Sequence, residues 1–318
     1  MIAISHKAKQ YLLPAAKVLI FAVTFGYIFY KINYNPSLNF AEFIETISVR
    51  ASVSGYLFLL FSFLAAANWF FEILKWQTLV SVIEKINFST AMKQSLASLT
   101  VSLATPNRIG EYGAKALFFT TSKRKKILLL NFLSGAAQML ATSFFGIIGL
   151  LFFLRNFNVA ISVKTVCYFG IGVILLLAIG YYFKEKELLT KGLSISRTIQ
   201  FFKQIPFQKK LKVLLFSVFR YVIFSAMFYG MLLFFGAELP FLNVIPIIFT
   251  MYFLVSVIPT FFVFDVVIRG GVAVWLFSFL GVPELPILST VLAMWLLNFV
   301  LPALFGSFFV LTYQPATK

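Results

Sequence analysis

The chain has 318 residues and is strongly apolar: 61% of them are hydrophobic, 12% are charged, and the mean hydropathy is +0.95. This composition is typical of polytopic membrane proteins and excludes an ordinary soluble domain. The net charge of +17 indicates an anionic membrane surface as a partner rather than nucleic acid, because the basic residues concentrate between the apolar stretches.

Metal-dependent chemistry is not expected from the residue types present. The chain has one cysteine (Cys167), one histidine (His6) and one aspartate (Asp265), which excludes a His/Cys metal cluster and an aspartate pair that holds a divalent metal. The longest stretch without a predicted span, residues 184–212, is too short for a catalytic domain. We therefore predict no metal, no cofactor and no enzymatic activity.

Six apolar stretches are predicted to cross the membrane as full spans, since each approaches the ~20 residues that a spanning helix needs. They are residues 12–30, 55–75, 127–154, 163–183, 211–235 and 286–311. After the second span, residues 77–89 are interpreted as a surface helix. Basic runs at 123–126 and 184–212 predict cytoplasmic loops by the positive-inside rule, and both chain termini fall on the same side.

A polar break divides residues 90–122 into two apolar arms that are each too short to cross a bilayer. The residues expected to interrupt the helix are Pro106, Gly110 and Gly113, because proline lacks a backbone donor and glycine permits irregular dihedral angles. Irregular backbone at membrane depth must be buried in protein or line a wet cavity. The segment is therefore predicted to be a re-entrant hairpin that returns to the cytoplasmic side.

The same pattern recurs in residues 241–281, where the expected breaks are Pro259, Gly270 and Gly271. Few basic residues flank this second hairpin, so it is predicted to open from the outside. Residues 12–154 and 163–311 would then form an inverted-topology repeat within one integral membrane domain, 1–318. Two thin, tilted spans in place of each hairpin are the alternative.

Several charged residues lie within or beside predicted spans. Glu72 and Lys75 are three residues apart, and we interpret them as an interfacial ion pair in preference to a transport role. Arg220 lies deep in its span; it either faces protein, water or a lipid phosphate, or snorkels to the interface, and both readings stay open. Asn131 and Gln138 can line a cavity.

The first break reads Thr105-Pro106-x-Arg108-x-Gly110-Glu111-x-x-x-Lys115-Ala116. Together with Pro259, Arg269-Gly270 and a later Leu280-Gly281-Val282 turn, it resembles the transmembrane flippase-like region of the lysylphosphatidylglycerol synthase family, over roughly residues 12–311. The family's second motif usually carries an Arg-Glu pair, whereas Gly270 follows Arg269 here and the acid is Asp265.

The resemblance implies an all-α protein of the prokaryotic inner membrane that moves a lipid between leaflets, and it suggests a homodimer. It does not imply aminoacyl-lipid synthesis, because that reaction belongs to a soluble domain which this sequence does not contain. The cargo would be a phosphate-containing lipid headgroup, aminoacylated or polyprenyl-linked, that passes through a polar cleft between the two hairpins.

The residues assigned to the substrate are Arg108, Glu111, Lys115, Asp265, Arg269 and Arg220. The basic side chains would take the phosphate, and the carboxylates would bind a cationic headgroup part or neutralise the arginines. The structural alternative is that Arg108 with Glu111, and Asp265 with Arg269, are ion pairs that fix each hairpin. An ion- or proton-coupled small-solute transporter fits the same pattern, and an integral membrane enzyme acting on lipid-linked substrates ranks behind it.

Overall fold

The computed structural model describes residues 55–103, 105, 109–157, 194–258 and 265–313, together with Glu45 and Ser48, and of residues 265–267 it describes the backbone alone. These residues form helices and connecting turns without a β-strand. The all-α fold class is therefore confirmed for this part of the chain. The predicted spans 12–30 and 163–183, residues 184–193 of the predicted loop 184–212, and Pro106, Arg108 and Pro259 lie outside the described residues. The described part of that loop is wrong as a loop, because it forms the helix Ile195–Gln204 and the start of the helix Phe207–Phe234.

The described helices, in chain order, are α1 (Tyr56–Val80), α2 (Phe88–Leu103), α3 (Gly110–Leu117), α4 (Thr121–Asn156), α5 (Ile195–Gln204), α6 (Phe207–Phe234), α7 (Phe241–Val257), α8 (Asp265–Ser278), α9 (Glu284–Trp295), a π-helical turn (Leu296–Val300) and α10 (Leu301–Leu311). Four segments are long and apolar enough to cross a membrane: α1, α4, α6 and the continuous run Glu284–Leu311. They coincide with four of the predicted spans. The chain is thus an α-helical membrane protein.

Two helix boundaries differ from the sequence-based expectation. The surface helix predicted at 77–89 is wrong, because α1 continues to Val80 and a turn then leads to α2. The side chain of Asn87 caps α2 by accepting a hydrogen bond from the Thr90 amide at 2.8 Å. Likewise the basic run 123–126 lies in the first turns of α4 rather than in a loop.

Helices α2 and α3 form the first hairpin. Lys123, at the start of α4, pairs with Glu84 just after α1 at 2.6 Å, so the chain enters and leaves the hairpin at the same end of the bundle. Thr105 links the two arms: its hydroxyl donates to the Ser102 carbonyl at 3.0 Å and accepts from the Gly110 amide at 2.8 Å. A Cβ at Gly110 would lie 2.7 Å from that hydroxyl, so this glycine permits a close approach.

The glycines predicted to break the helices do not do so. Gly110 begins α3, Gly113 lies inside α3, and Gly270 and Gly271 lie inside α8. Backbone hydrogen bonding continues through a glycine unless its φ turns positive, and the described glycines with positive φ are Gly236 and Gly281, in the turns after α6 and α8. Among the described residues, α2 ends at Leu103 and α3 begins at Gly110, while α7 ends at Val257 and α8 begins at Asp265.

Helices α7 and α8 form the second short pair. Gly149 of α4 packs on Pro246 and Gly146 packs on Phe253, so α7 runs antiparallel to α4 and starts at the end of the bundle opposite to Lys123. Helix α8 runs back towards the end of the bundle at which α7 starts, and the turn at Gly281 then leads into α9. The two hairpins thus enter from opposite ends, as the pattern of short arms predicted, while the inverted repeat itself stays a prediction.

Candidate functional site

A cavity of about 400 Å³ lies between the two hairpins and the long helices α1, α4 and α6. The charged residues among its described lining are Glu72, Lys75, Glu111, Lys115, Arg220 and Arg269. Four cations thus face two carboxylates in a helix bundle whose outer surface is apolar. Charges at this depth are costly unless they are paired or solvated, so their collection in one place indicates a polar site inside the membrane protein.

The structure brings four of the six predicted substrate residues to this cavity: Glu111, Lys115, Arg220 and Arg269. The other two, Arg108 and Asp265, fall where the structure describes no side chain. The first hairpin contributes Glu111 and Lys115 on α3, and the second contributes Arg269 on α8. Their assignment to a substrate stays a prediction, but their convergence on one volume is a structural fact.

Lys115 is the centre of one cluster in the cavity wall. Its ammonium group donates to Glu111 at 2.7 Å and to the side-chain oxygen of Asn131 at 2.8 Å, and it lies 4.3 Å from the ring centroid of Trp76. The Lys115 side chain is 1% exposed, whereas that of Glu111 is 30% exposed. Both residues line the cavity, and the carboxylate is the more exposed member of the pair.

Glu72 is the centre of a second cluster. Its carboxylate accepts from Lys75 at 2.8 Å and from the guanidinium of Arg220, which also donates to Asn68 and Gln138, each at 3.1 Å. The predicted ion pair between Glu72 and Lys75 is confirmed, and side-chain exposure of 2% for Lys75 and 11% for Glu72 shows that it is buried in the protein. Of the two alternatives for Arg220, the one in which it faces protein is confirmed, because its guanidinium binds Glu72, Asn68 and Gln138.

Sequence reasoning missed the amide network that supports Arg220. The Asn68 amide nitrogen donates to the Asn298 side chain at 3.0 Å, and the Trp69 indole donates to the Asn298 carbonyl at 3.1 Å. Pro302 follows Asn298 by four residues and has no N–H, so the ordinary α-helical hydrogen bond to that carbonyl cannot form there. This proline was the available sequence signal, and Trp69 itself lines the cavity.

The second hairpin adds a cation, Arg269, to the lining of the cavity. The guanidinium carbon of Arg269 lies 5.9 Å from the ring centroid of Phe299, and both residues line the cavity together with Tyr252 of α7. An aromatic face stabilises a nearby cation at low solvent exposure. Arg269 is therefore held at the cavity by packing from the last membrane helix as well as by its own hairpin.

The cavity reaches the surface of the bundle where three lining residues are exposed. Gly135 and Met139 line it near the middle of α4, Ser256 lines it near the inner end of α7, and all three residues are exposed. A Cβ at Gly135 would lie 3.6 Å from the hydroxyl of Tyr112 on α3. Gly135, which has no side chain, is therefore the part of α4 that faces Tyr112 of the first hairpin at the opening.

Within the described ranges, no group of three or more histidine, cysteine, aspartate or glutamate residues could hold a metal ion. The polar part of the lining includes four basic and four amide side chains, and these groups bind anions and hydroxyl groups.

Comparisons with protein-family models, with curated proteins and with solved structures each gave no match. The family resemblance of the motif around Thr105 to Ala116 accordingly stays an expectation from the sequence. Functional inference rests on the cavity and on the elements that build it.

Proposed function

We propose that this protein moves a phosphate-containing lipid headgroup between the leaflets of a prokaryotic inner membrane, with both termini on the cytoplasmic side. The observation that carries the proposal is a charged cavity inside a membrane helix bundle, between two pairs of short helices that enter from opposite ends. In transporters of known architecture, broken helices of this kind line a substrate site near the bilayer midplane.

The size and the opening of the cavity favour a lipid. A volume of about 400 Å³ accommodates a small polar group but not a diacyl lipid with its tails. The opening beside Gly135 and Met139, at the middle of a membrane helix, is at the depth where acyl chains lie. A headgroup in the cavity with its tails outside in the hydrocarbon satisfies both observations.

The second candidate is a transporter of a small soluble anion. The excess of cations over carboxylates in the lining suits a free phosphate ester as well as an esterified one. The side opening is the feature that favours the lipid, because a soluble substrate needs access to water at the two membrane surfaces and not to the hydrocarbon.

Leaflet exchange in proteoliposomes tests the proposal. Labelled phosphatidylglycerol, lysyl-phosphatidylglycerol and a polyprenyl phosphate are compared for the native chain and for Glu111→Gln, with empty vesicles as the blank. Glu111 is chosen because its partly exposed carboxylate lies at the cavity and pairs with the buried Lys115.

We expect exchange of at least one lipid class, and loss of that exchange in Glu111→Gln while the protein keeps its folded elution profile. Absence of exchange for every lipid, with pH gradients applied in both directions, would overturn the lipid proposal. Uptake of a soluble phosphate ester by the same vesicles would then support the second candidate.

A further inference from the structure

The cluster around Glu72 holds two cations with one carboxylate. Lys75 and Arg220 both bind the same carboxylate, and their remaining described partners are the neutral amides of Asn68 and Gln138. All three charged side chains are largely buried, with 2%, 11% and 20% exposure for Lys75, Glu72 and Arg220. Counting the described residues, the cluster therefore carries one positive charge more than it has negative charges, in a region where an unbalanced charge is costly.

Both cations also have donors to spare. The ammonium of Lys75 has three protons and makes a single hydrogen bond within the described residues, to Glu72. The guanidinium of Arg220 donates from Nε and Nη1 and makes no hydrogen bond from Nη2 to any described residue. Since Lys75 and Arg220 line the same cavity, their unused protons are the donors available to a ligand there.

We propose that the cavity binds a phosphodiester with one negative charge between Lys75 and Arg220, and that the group beyond the phosphate is neutral and hydroxylated, as in a glycerol phosphate headgroup. The proposal rests on the proposed function, because it names the substrate class of the same cavity. One anionic charge brings the cluster of Glu72, Lys75 and Arg220 to neutrality. Arginine and lysine together offer directed donors and a point charge to a phosphate.

An aminoacylated headgroup does not fit the described lining. Its ammonium group would need a carboxylate, and both described carboxylates already accept from cations: Glu72 from Lys75 and Arg220, and Glu111 from Lys115. It would also add a cation beside Lys75 and Arg220, which already share one carboxylate. Like charges in a partly desolvated site repel each other much more strongly than in water. We therefore expect selection against lysyl-phosphatidylglycerol.

Two hydroxyl groups favour a headgroup that carries hydroxyls of its own. Ser95 and Tyr252 line the cavity, and their hydroxyl oxygens are buried without a hydrogen-bond partner among the described residues. Ser95 is 3% exposed. A buried hydroxyl without a partner is destabilising, and in native proteins it usually indicates a missing water or ligand. A polyol can donate to and accept from such groups.

The first test measures binding apart from transport. The native protein in neutral detergent is titrated with short-chain phosphatidylglycerol, short-chain lysyl-phosphatidylglycerol and free glycerol phosphate, and the thermal unfolding midpoint is followed. We expect the apparent Kd for phosphatidylglycerol to be at least roughly tenfold below that for the lysyl lipid, a difference that one repelled charge readily supplies.

Two variants locate the binding. Lys75→Met leaves Glu72 and Arg220 as a neutral pair, so the fold should persist while the attraction for an anion is lost. Lys123→Met is the matched control, since Lys123 forms an exposed ion pair with Glu84 away from the cavity. We expect Lys75→Met to weaken phosphatidylglycerol binding by roughly tenfold or more, and Lys123→Met to leave it unchanged.

The outcomes separate this inference from the proposed function. Selective phosphatidylglycerol binding without leaflet exchange would support the phosphodiester site and refute the flippase. Exchange of lysyl-phosphatidylglycerol at an equal or higher rate would refute the site and leave the flippase standing. Stabilisation by glycerol phosphate as strong as by the lipid would identify a soluble source. Equal binding of phosphatidylglycerol by Lys75→Met and Lys123→Met would overturn the proposal. If a variant does not fold, the preference of the native protein for phosphatidylglycerol over the lysyl lipid still tests it, and absence of that preference would overturn it.

Discussion

The most informative stability test is the removal of the carboxylate that two buried cations share. In Glu72→Gln, Lys75 and Arg220 keep their positions inside the bundle but lose their only described anion. Removing one partner of a buried ion pair costs about 3–5 kcal/mol, because the remaining charge stays uncompensated. The matched control is Glu84→Gln, which breaks the pair with Lys123.

The control differs from the test in burial and not in chemistry. The side chains of Glu84 and Lys123 are 46% and 38% exposed, against 11% for Glu72 and 2% for Lys75. An exposed pair contributes about 0–1 kcal/mol. We therefore expect a difference of at least about 2 kcal/mol between two identical substitutions, from the smallest buried cost less the largest exposed one.

Unfolding in a neutral detergent, followed by tryptophan fluorescence, measures this difference. At roughly 2 °C per kcal/mol, Glu72→Gln should lower the midpoint by about 6–10 °C and Glu84→Gln by no more than about 2 °C. The double variant Glu72→Gln/Lys75→Met should recover part of the loss, because it retains one unpaired cation instead of two. Equal midpoints for the two glutamine variants would show that Glu72 is solvated and that the buried cluster has been misjudged.

Three further changes test the packing and the opening. Gly306→Ala should destabilise the protein by about 1–3 kcal/mol, because its Cβ would lie 2.2 Å from the Leu96 carbonyl oxygen. Chemical denaturation measures this free energy of unfolding, with Gly271→Ala as the control because its Cβ would meet nothing within 4 Å. Lys115→Met should cost about 2–3 kcal/mol through its lost charged hydrogen bonds, measured in the same way. Gly135→Phe should close the side opening and reduce leaflet exchange to that of empty vesicles, with the fold intact by circular dichroism.

The two hairpins were predictable because their signal is local. A short apolar arm, a break with charges and a second short arm can be read from about thirty residues, and membrane depth restricts what such a segment can do. The interruption was correctly placed between α2 and α3, and the direction of the second hairpin followed from the scarcity of basic residues around it. This part of the fold follows from the thickness of the bilayer and its lack of hydrogen-bond partners more than from side-chain packing.

Glycine positions were misread because glycine serves two purposes. It permits a positive φ, which the sequence-based reading assumed, and it permits two backbones to approach closely. Gly110 and Gly306 serve the second purpose, against Thr105 and Leu96. A sequence does not state what packs on a given glycine, so the distinction needs the positions of the neighbouring helices.

The cluster around Glu72 was undervalued for a similar reason. A glutamate and a lysine three residues apart near a tryptophan are an ordinary pattern at a membrane interface. The pair becomes part of a buried cluster because Glu72 also binds Arg220, which is 148 residues away in sequence. Pairing across that separation depends on how α1 and α6 pack, and the apolar composition of both helices contains no such information.

The central claim is that a lipid headgroup enters this cavity from the membrane. Met139 is exposed and lines the cavity, so Met139→Cys in a Cys167→Ser background gives one reactive thiol at the opening. We predict that a maleimide attached to a phospholipid headgroup labels this cysteine in proteoliposomes, and that phosphatidylglycerol slows the labelling more than lysyl-phosphatidylglycerol does. Labelling by a water-soluble maleimide alone, unaffected by either lipid, would contradict the account.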